Sequence, residues 1–142
     1  KDAMNWAAMH GHLDVVKWLH SNCTMSCTTS AMDIAAENGH LEIVKFLHEN
    51  RTEGCTYWAM SLAARNGHLD VVKWLYENRT EGCAKYAMNH ASGYGHLEIV
   101  KWLYENCTED WNIHSIRTNA LYKNHMNVVD WVDTIINKKL IS

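Results

Sequence analysis

The sequence predicts an all-α solenoid, in which antiparallel helix pairs stack in a row with short loops between them. Three observations predict it. Gly-His pairs recur at 11–12, 39–40, 67–68 and 95–96, each 28 residues after the last. On both sides of each pair the apolar residues follow helical spacing. Proline is absent, so no helix meets that breaker. Self-similarity at a fixed period of roughly 20–50 residues marks a chain whose units bury their apolar faces against one another.

Each unit opens with a short helical pattern: "AMNWAAMH" (3–10), "AMDIAAEN" (31–38), "AMSLAARN" (59–66) and "AMNHASGY" (87–94). Ala, Met and Ala recur on one face. The glycine then supplies a tight reversal. A second helix follows, in which Leu69, Val71, Val72, Trp74 and Leu75 are expected to face inward. Asp70 and Lys73 are expected outside as an i,i+3 pair. The linking "ENRTEG" ends one helix at Asn78 and turns the chain at Gly82, a residue suited to positive φ. A fifth, degraded unit contains "NHMNVVDWV" (124–132), shifted by one residue, with Asn124 in the glycine position. Asn is the next best residue for a left-handed backbone. The helix pairs are centred near Asn5/Val16, Ile34/Val44, Leu62/Val72, Asn89/Val100 and Asn119/Val129. Each helix is shorter than the ~12–15 residues that hold alone in water, so stacking must stabilise them.

The pattern x-A-M-x-x-A-A-x-x-G-H-L-(D/E)-(V/I)-V-K-x-L, repeated through nearly the whole chain, resembles the ankyrin repeat. The 28-residue form looks most like arrays in protists and large DNA viruses. The usual ankyrin period is about 33 residues. The missing residues fall in the inter-repeat loop, which argues for plain turns in place of a protruding β-hairpin. Ala31, Ala59 and Ala87 stand where the family has Pro, and Met32, Met60 and Met88 where it has Leu. Trp18, Phe46, Trp74, Trp102 and Trp131 stand where Leu is commoner, and read as core. The whole chain, 1–142, reads as one repeat domain with units at about 1–27, 28–55, 56–83, 84–111 and 112–142. The last unit is a C-terminal cap that breaks the consensus at Arg117, Thr118, Asn119 and Asp130. The first keeps the internal consensus from Met4 to Val16, so further repeats or a partner surface are expected before Lys1.

Composition excludes several functions. A net charge of −3 gives no electrostatic reason to expect nucleic acid. No apolar run approaches the ~20 residues of a membrane span, and no signal peptide is evident. There is no phosphate-binding glycine loop, nucleophile elbow or isolated carboxylate pair, so no enzyme, cofactor or catalytic residue is expected. The histidine column His12, His40, His68, His96 and His125 suggests a metal, but stacked helices lie ~8–10 Å apart. Zinc needs its nitrogens at ~2.0–2.1 Å. The column instead reads as structural, bridging adjacent loops as the ankyrin resemblance implies. His90, in the slot of Trp6, Ile34 and Leu62, reads as a half-buried core histidine. Cys27, Cys55 and Cys83 share one position and Cys23 and Cys107 another, too far apart within a column for disulfides. Cys23 and Cys27 are close enough in sequence to pair, though nothing demands it. Five cysteines without a paired framework fit a reducing, intracellular compartment, cytoplasmic or nuclear, and read as small buried hydrophobes. Asn22, Asn50, Asn78 and Asn106 each begin a formal glycosylation motif, but serve equally to end a helix.

Repeats share framework residues because stacking needs them, so function should lie where the copies differ. The ankyrin resemblance implies that these slots line a concave, partner-binding face. The expected binding residues are Tyr57, Trp58, Arg65, Lys85, Tyr86, Asn89, Tyr94, Asp33 and Glu37. Aromatics and Arg are enriched among interface hot spots. The function so read is a non-enzymatic protein-binding module. A structural spacer or surface glycoprotein array is the alternative, and an adaptor segment of a larger protein a third.

Overall fold

A computed structural model describes residues 2–23 and 28–141. Among them are ten helices and no strand: α1 (Asp2–His10), α2 (Leu13–Asn22), α3 (Ser30–Glu37), α4 (Leu41–Asn50), α5 (Trp58–Arg65), α6 (Leu69–Asn78), α7 (Ala84–Gly93), α8 (Leu97–Asn106), α9 (Ile113–Tyr122) and α10 (Met126–Ile141). Every expected helix centre falls inside its helix. The expected all-α stack of helix pairs is thus the observed fold.

The first helix of each pair packs along the next first helix, α1 to α3 to α5 to α7 to α9. The reason is small side chains. Ala7, Ala8, Ala35, Ala36, Ala63, Ala64, Ala91 and Ala120 are fully buried at this seam and let the backbones approach. Ser92 takes one alanine slot and satisfies its hydroxyl by donating to the Met88 carbonyl at 2.8 Å. The second helices, α4, α6 and α8, touch far more sparingly. The stack is tighter on the first-helix side and must curve toward it. Val44, Val72 and Val100 are buried between the two rows. Each such side chain contributes about 1.5–3 kcal/mol on leaving water.

The Gly-His turn does two jobs. Gly11, Gly39, Gly67 and Gly95 have φ between +75° and +82°, where a β-carbon is strained. A β-carbon at Gly39 would also lie 2.5 Å from the His68 ring. The same holds for Gly11 against His40 at 2.7 Å, Gly67 against His96 at 2.8 Å and Gly95 against His125 at 2.5 Å. Each glycine is therefore the seat for the histidine of the next unit. From that seat His40 Nε2 reaches the Met9 carbonyl at 3.0 Å, and His96 Nε2 the Arg65 carbonyl at 2.7 Å. The histidines do bridge neighbouring units. Asn124 takes the left-handed turn of the last pair at φ 61°.

The outer aromatic column is half-buried where it has a neighbour before it. His20 meets Phe46 edge-on at 5.5 Å, His48 meets Trp74 at 5.0 Å, Tyr76 meets Trp102 at 5.6 Å and Tyr104 meets Trp131 at 5.4 Å. Trp18 departs from the expectation: it is 60% exposed. No described residue covers it, whereas Phe46, Trp74, Trp102 and Trp131 each meet a ring of the preceding unit.

Other details correct the sequence reading. Gly54 has φ +72°, but Gly82 does not adopt positive φ. Its lack of a side chain serves packing: a β-carbon there would meet Met60 Cε at 2.6 Å. Glu42–Lys45 and Glu98–Lys101 pair at 3.6 and 4.0 Å, whereas the shorter Asp70 accepts from the Val71 N–H at 2.9 Å. Cys55 and Cys107 are buried, but Cys23 and Cys83 only half so. All four are free, and Cys27 lies outside the described residues. In the last unit, Arg117 on α9 holds Asp133 on α10 at 2.8 Å. Leu121, Tyr122, Met126, Leu140 and Ile141 are exposed there, so its surface is not wholly polar.

Candidate partner-binding face

The starts of α5 and α7 bring three variable-slot aromatics together. Tyr57 lies 4.8 Å from Trp58 and 5.7 Å from Tyr86, between ring centroids. They are 41%, 44% and 53% exposed. They cannot turn inward, because the positions beside them are already filled by buried Ala59, Met60, Ala87 and Met88. Trp58 leans edge-on toward His90 at 6.5 Å.

A second cluster lies further along the same two helices. Arg65 stands 5.0 Å from the Tyr94 ring and Lys123 3.9 Å from it, two cation–π contacts on one ring. An open groove beside it is lined by Asn89, His90, Gly93, Tyr94, Asn119 and Lys123, among others. His90 is half-buried, as its slot suggested. Its Nδ1 is buried without a hydrogen-bond partner. Burial, then the nearby Arg65 and Lys123 charges, hold its pKa below the usual histidine value. Asn89 accepts from Asn119 at 3.2 Å, and Lys85 lies 3.9 Å from Glu109.

Two expected residues do not join this surface. The Asp33 carboxylate accepts from the Thr56 N–H at 2.8 Å and from the Thr56 hydroxyl at 2.7 Å. It clamps the loop of the next unit. Burial, the largest influence, raises its pKa. Glu37 sits one unit away from the aromatics, and its carbonyl accepts from Asn66. Conversely, the structure adds Lys123 and Tyr122. They fill the slots of Tyr94 and Gly93 in the fifth unit, and extending the columns across the one-residue shift would have found both.

The formal glycosylation asparagines end helices. Asn22, Asn50, Asn78 and Asn106 each donate Nδ2 to the carbonyl four residues back at 2.9 Å. Among the described residues no cluster of His, Cys, Asp and Glu is placed to hold a metal. None of the described helices is long and apolar enough to cross a membrane.

Fold and surface together define a helical repeat protein that presents variable side chains on a repeated frame. A family model described as ankyrin repeats (3 copies) matches residues 4–85 and 60–132. The chain belongs to the ankyrin-repeat family, whose members are generally protein–protein interaction modules and typically not enzymes. A comparison with curated proteins returned no match.

Proposed function

We propose that this chain binds a protein partner through the variable face of its central units, without catalysis or a cofactor, inside the cell. The observation that carries the reading is the contiguous, exposed Tyr57–Trp58–Tyr86 strip. It is continued by Arg65, Tyr94 and Lys123, on helices whose other faces are committed to stacking. Aromatic rings lose little conformational entropy on docking and bury large areas. Four free cysteines support a reducing compartment. The helix-ending bonds of the four asparagines account for the Asn-x-Thr column without glycan.

The test is a partner captured from the source cell and measured against purified variants. Tyr57→Ala, Trp58→Ala and Tyr86→Ala together should weaken binding by at least about thirtyfold while leaving the thermal midpoint nearly unchanged. Lys45→Ala and Lys73→Ala, on the second helices, should do little to either, Lys45 losing an exposed ion pair and Lys73 a 6.0 Å contact with the Trp102 ring. Unchanged affinity in the triple variant, or a large fall in melting temperature for Trp58→Ala alone, removes the strip from consideration.

A further inference from the structure

Between α7 and α9 the variable face is grooved. An open hollow of about 430 Å³ lies against Tyr94 and Lys123, and a second of about 200 Å³ against Lys85 and Trp111. Asn89 lines both, so the two form one groove along the helices. A helix of ten residues, as α7 is, spans about 15 Å. The groove therefore takes about four or five residues of extended chain.

Gly93 opens it. The same slot carries Met9, Glu37 and Arg65 in the earlier units. Gly93 does not adopt positive φ, and a β-carbon built on it would meet no heavy atom within 4 Å. Neither the backbone nor the packing asks for glycine here, and glycine in a helix carries an entropic cost. Its effect is to leave room beside Tyr94.

The walls carry charge and hydrogen-bonding capacity that the folded chain does not use. Arg51, Arg79 and Arg117 each hold a carboxylate. Arg65 and Lys123 hold none among the described residues. Both sit on the Tyr94 ring instead, at 5.0 and 3.9 Å from its centroid. They therefore stand within about one Debye length, ~8–10 Å, of each other and repel. At the far end Lys85 is offset by Glu109 at 3.9 Å, and Asp110 adds a negative charge. The positive excess is thus confined to the Tyr94 end, in a chain of net charge −3. Midway, Asn89 accepts from Asn119 at 3.2 Å. That bond leaves the Asn89 amide N–H groups and the Asn119 amide oxygen for a ligand, a donor beside an acceptor. The two buried side-chain nitrogens without a partner, His90 Nδ1 and Trp111 Nε1, also belong to residues of these walls.

We propose that this groove binds a short extended segment of a protein partner, with an acidic side chain on Arg65 and Lys123 and its main chain on the Asn89 and Asn119 amides. Charge complementarity names the occupant. A Glu or Asp carboxylate supplies the counter-charge that Arg65 and Lys123 lack, through charge-assisted hydrogen bonds. The segment has a direction, because Glu109 and Asp110 repel an acid from the other end. The inference rests on the reading that the variable face binds protein, and it adds what the partner must carry.

The test measures fluorescence anisotropy on the full chain. The probe is an end-capped, labelled octapeptide of Gly, Ser and Leu with two adjacent glutamates, beside versions with two glutamines or two lysines. The glutamate peptide should bind at least about tenfold more tightly than either other version, and its affinity should fall as salt rises. Arg65→Gln combined with Lys123→Gln should lower that affinity at least about tenfold while leaving the thermal midpoint nearly unchanged. Gly93→Met gives this unit the counterpart of Met9. It should fill the groove and abolish binding without lowering the midpoint. Equal binding of the three peptides, no binding of the glutamate peptide, or full affinity in either variant would each overturn the proposal. Inorganic phosphate competing at the peptide's own affinity would reveal a bare anion site and overturn it too. The Tyr57→Ala, Trp58→Ala, Tyr86→Ala variant leaves the groove intact and should bind the glutamate peptide unchanged. A partner that still binds that variant, with peptide binding retained, ends the strip reading alone. A peptide that fails while the same variant still loses its partner ends the groove alone.

Discussion

The stretches 50–55 and 78–83 are the same six residues, Asn-Arg-Thr-Glu-Gly-Cys, and they fold differently. Both begin alike. Arg51 binds Glu53 and reaches back to His20 at 3.2 Å, and Arg79 binds Glu81 and reaches back to His48 at 3.1 Å. They part at the glycine. Gly54 takes φ +72°, Cys55 is buried, and helix α5 waits until Trp58. Gly82 keeps an ordinary φ, Cys83 is half-exposed, and helix α7 starts at once from Ala84. The cause lies outside the six residues. Thr56 follows the first copy and is clamped by Asp33 of the preceding unit through two hydrogen bonds. Ala84 follows the second copy and has no side chain to clamp. Ser61, in the slot of Asp33, turns to the Tyr57 carbonyl. A local sequence sets what a loop is able to do, and a contact 23 residues away decides which option is taken.

The largest measurable difference should be chemical. Burial first, and then the Glu81 charge, push the Cys55 thiol from 9.0 to about 12. That leaves about a thousandth of the usual thiolate near neutral pH. Iodoacetamide at pH 8, followed by mass spectrometry of the folded chain, should label Cys83 well before Cys55. Equal labelling would mean that the two loops share one conformation.

Next comes the clamp. Asp33→Ala leaves the Thr56 N–H and hydroxyl without their acceptor and should cost about 2–3 kcal/mol in urea unfolding. Cys55 labelling should rise in the same variant as the loop relaxes toward the conformation of its twin. Asp33→Asn keeps an acceptor for the Thr56 N–H and should cost much less. It should also remove a pH dependence of known sign. The Asp33 pKa is raised, so the folded state holds the proton more tightly. The stability it contributes is present below the ordinary aspartate value of 3.8 and is lost as pH rises through the folded value. Identical pH–stability curves for the wild type and Asp33→Asn would contradict this assignment.

The smallest effect separates the two glycines. Gly54→Ala meets the left-handed penalty of about 1–2 kcal/mol and also crowds the Arg79 guanidinium. Gly82→Ala carries no such penalty and crowds buried Met60 alone, from its Cε to its Cβ, so it should cost about 1 kcal/mol, the low end of overpacking. Equal losses in a paired denaturation experiment would mean that the loops do not differ in backbone.

These loops mark where the sequence stops being legible. The helices were readable because each rests on near neighbours: apolar spacing along one turn, and glycine or Asn124 at the reversal. The aromatic strip was readable because Tyr57, Trp58 and Tyr86 occupy matching slots of adjacent units. The Asp33–Thr56 clamp is not legible, because its two residues lie in different units and no period reveals the pair. Trp18 was assigned to the core by its column, yet a column position guarantees burial only where a preceding unit supplies the cover. Lys123 escaped notice because one inserted residue hid its alignment with Tyr94.

The uneven spacing of the two helix rows has a mechanical meaning. The alanine seam joins α1, α3, α5, α7 and α9 almost backbone to backbone, whereas the outer row is joined by edge-on ring contacts, by the Arg51–His20 and Arg79–His48 hydrogen bonds and by sparse helix contacts. Such a stack behaves as a leaf hinge. Opening the outer row breaks few contacts at each junction; opening the inner row breaks many, so flexing concentrates in one direction. The aromatic strip lies on the stiff leaf and keeps its spacing as the stack bends. A partner gripping Tyr57, Trp58 and Tyr86 would meet a rigid rail, with the compliance placed behind it.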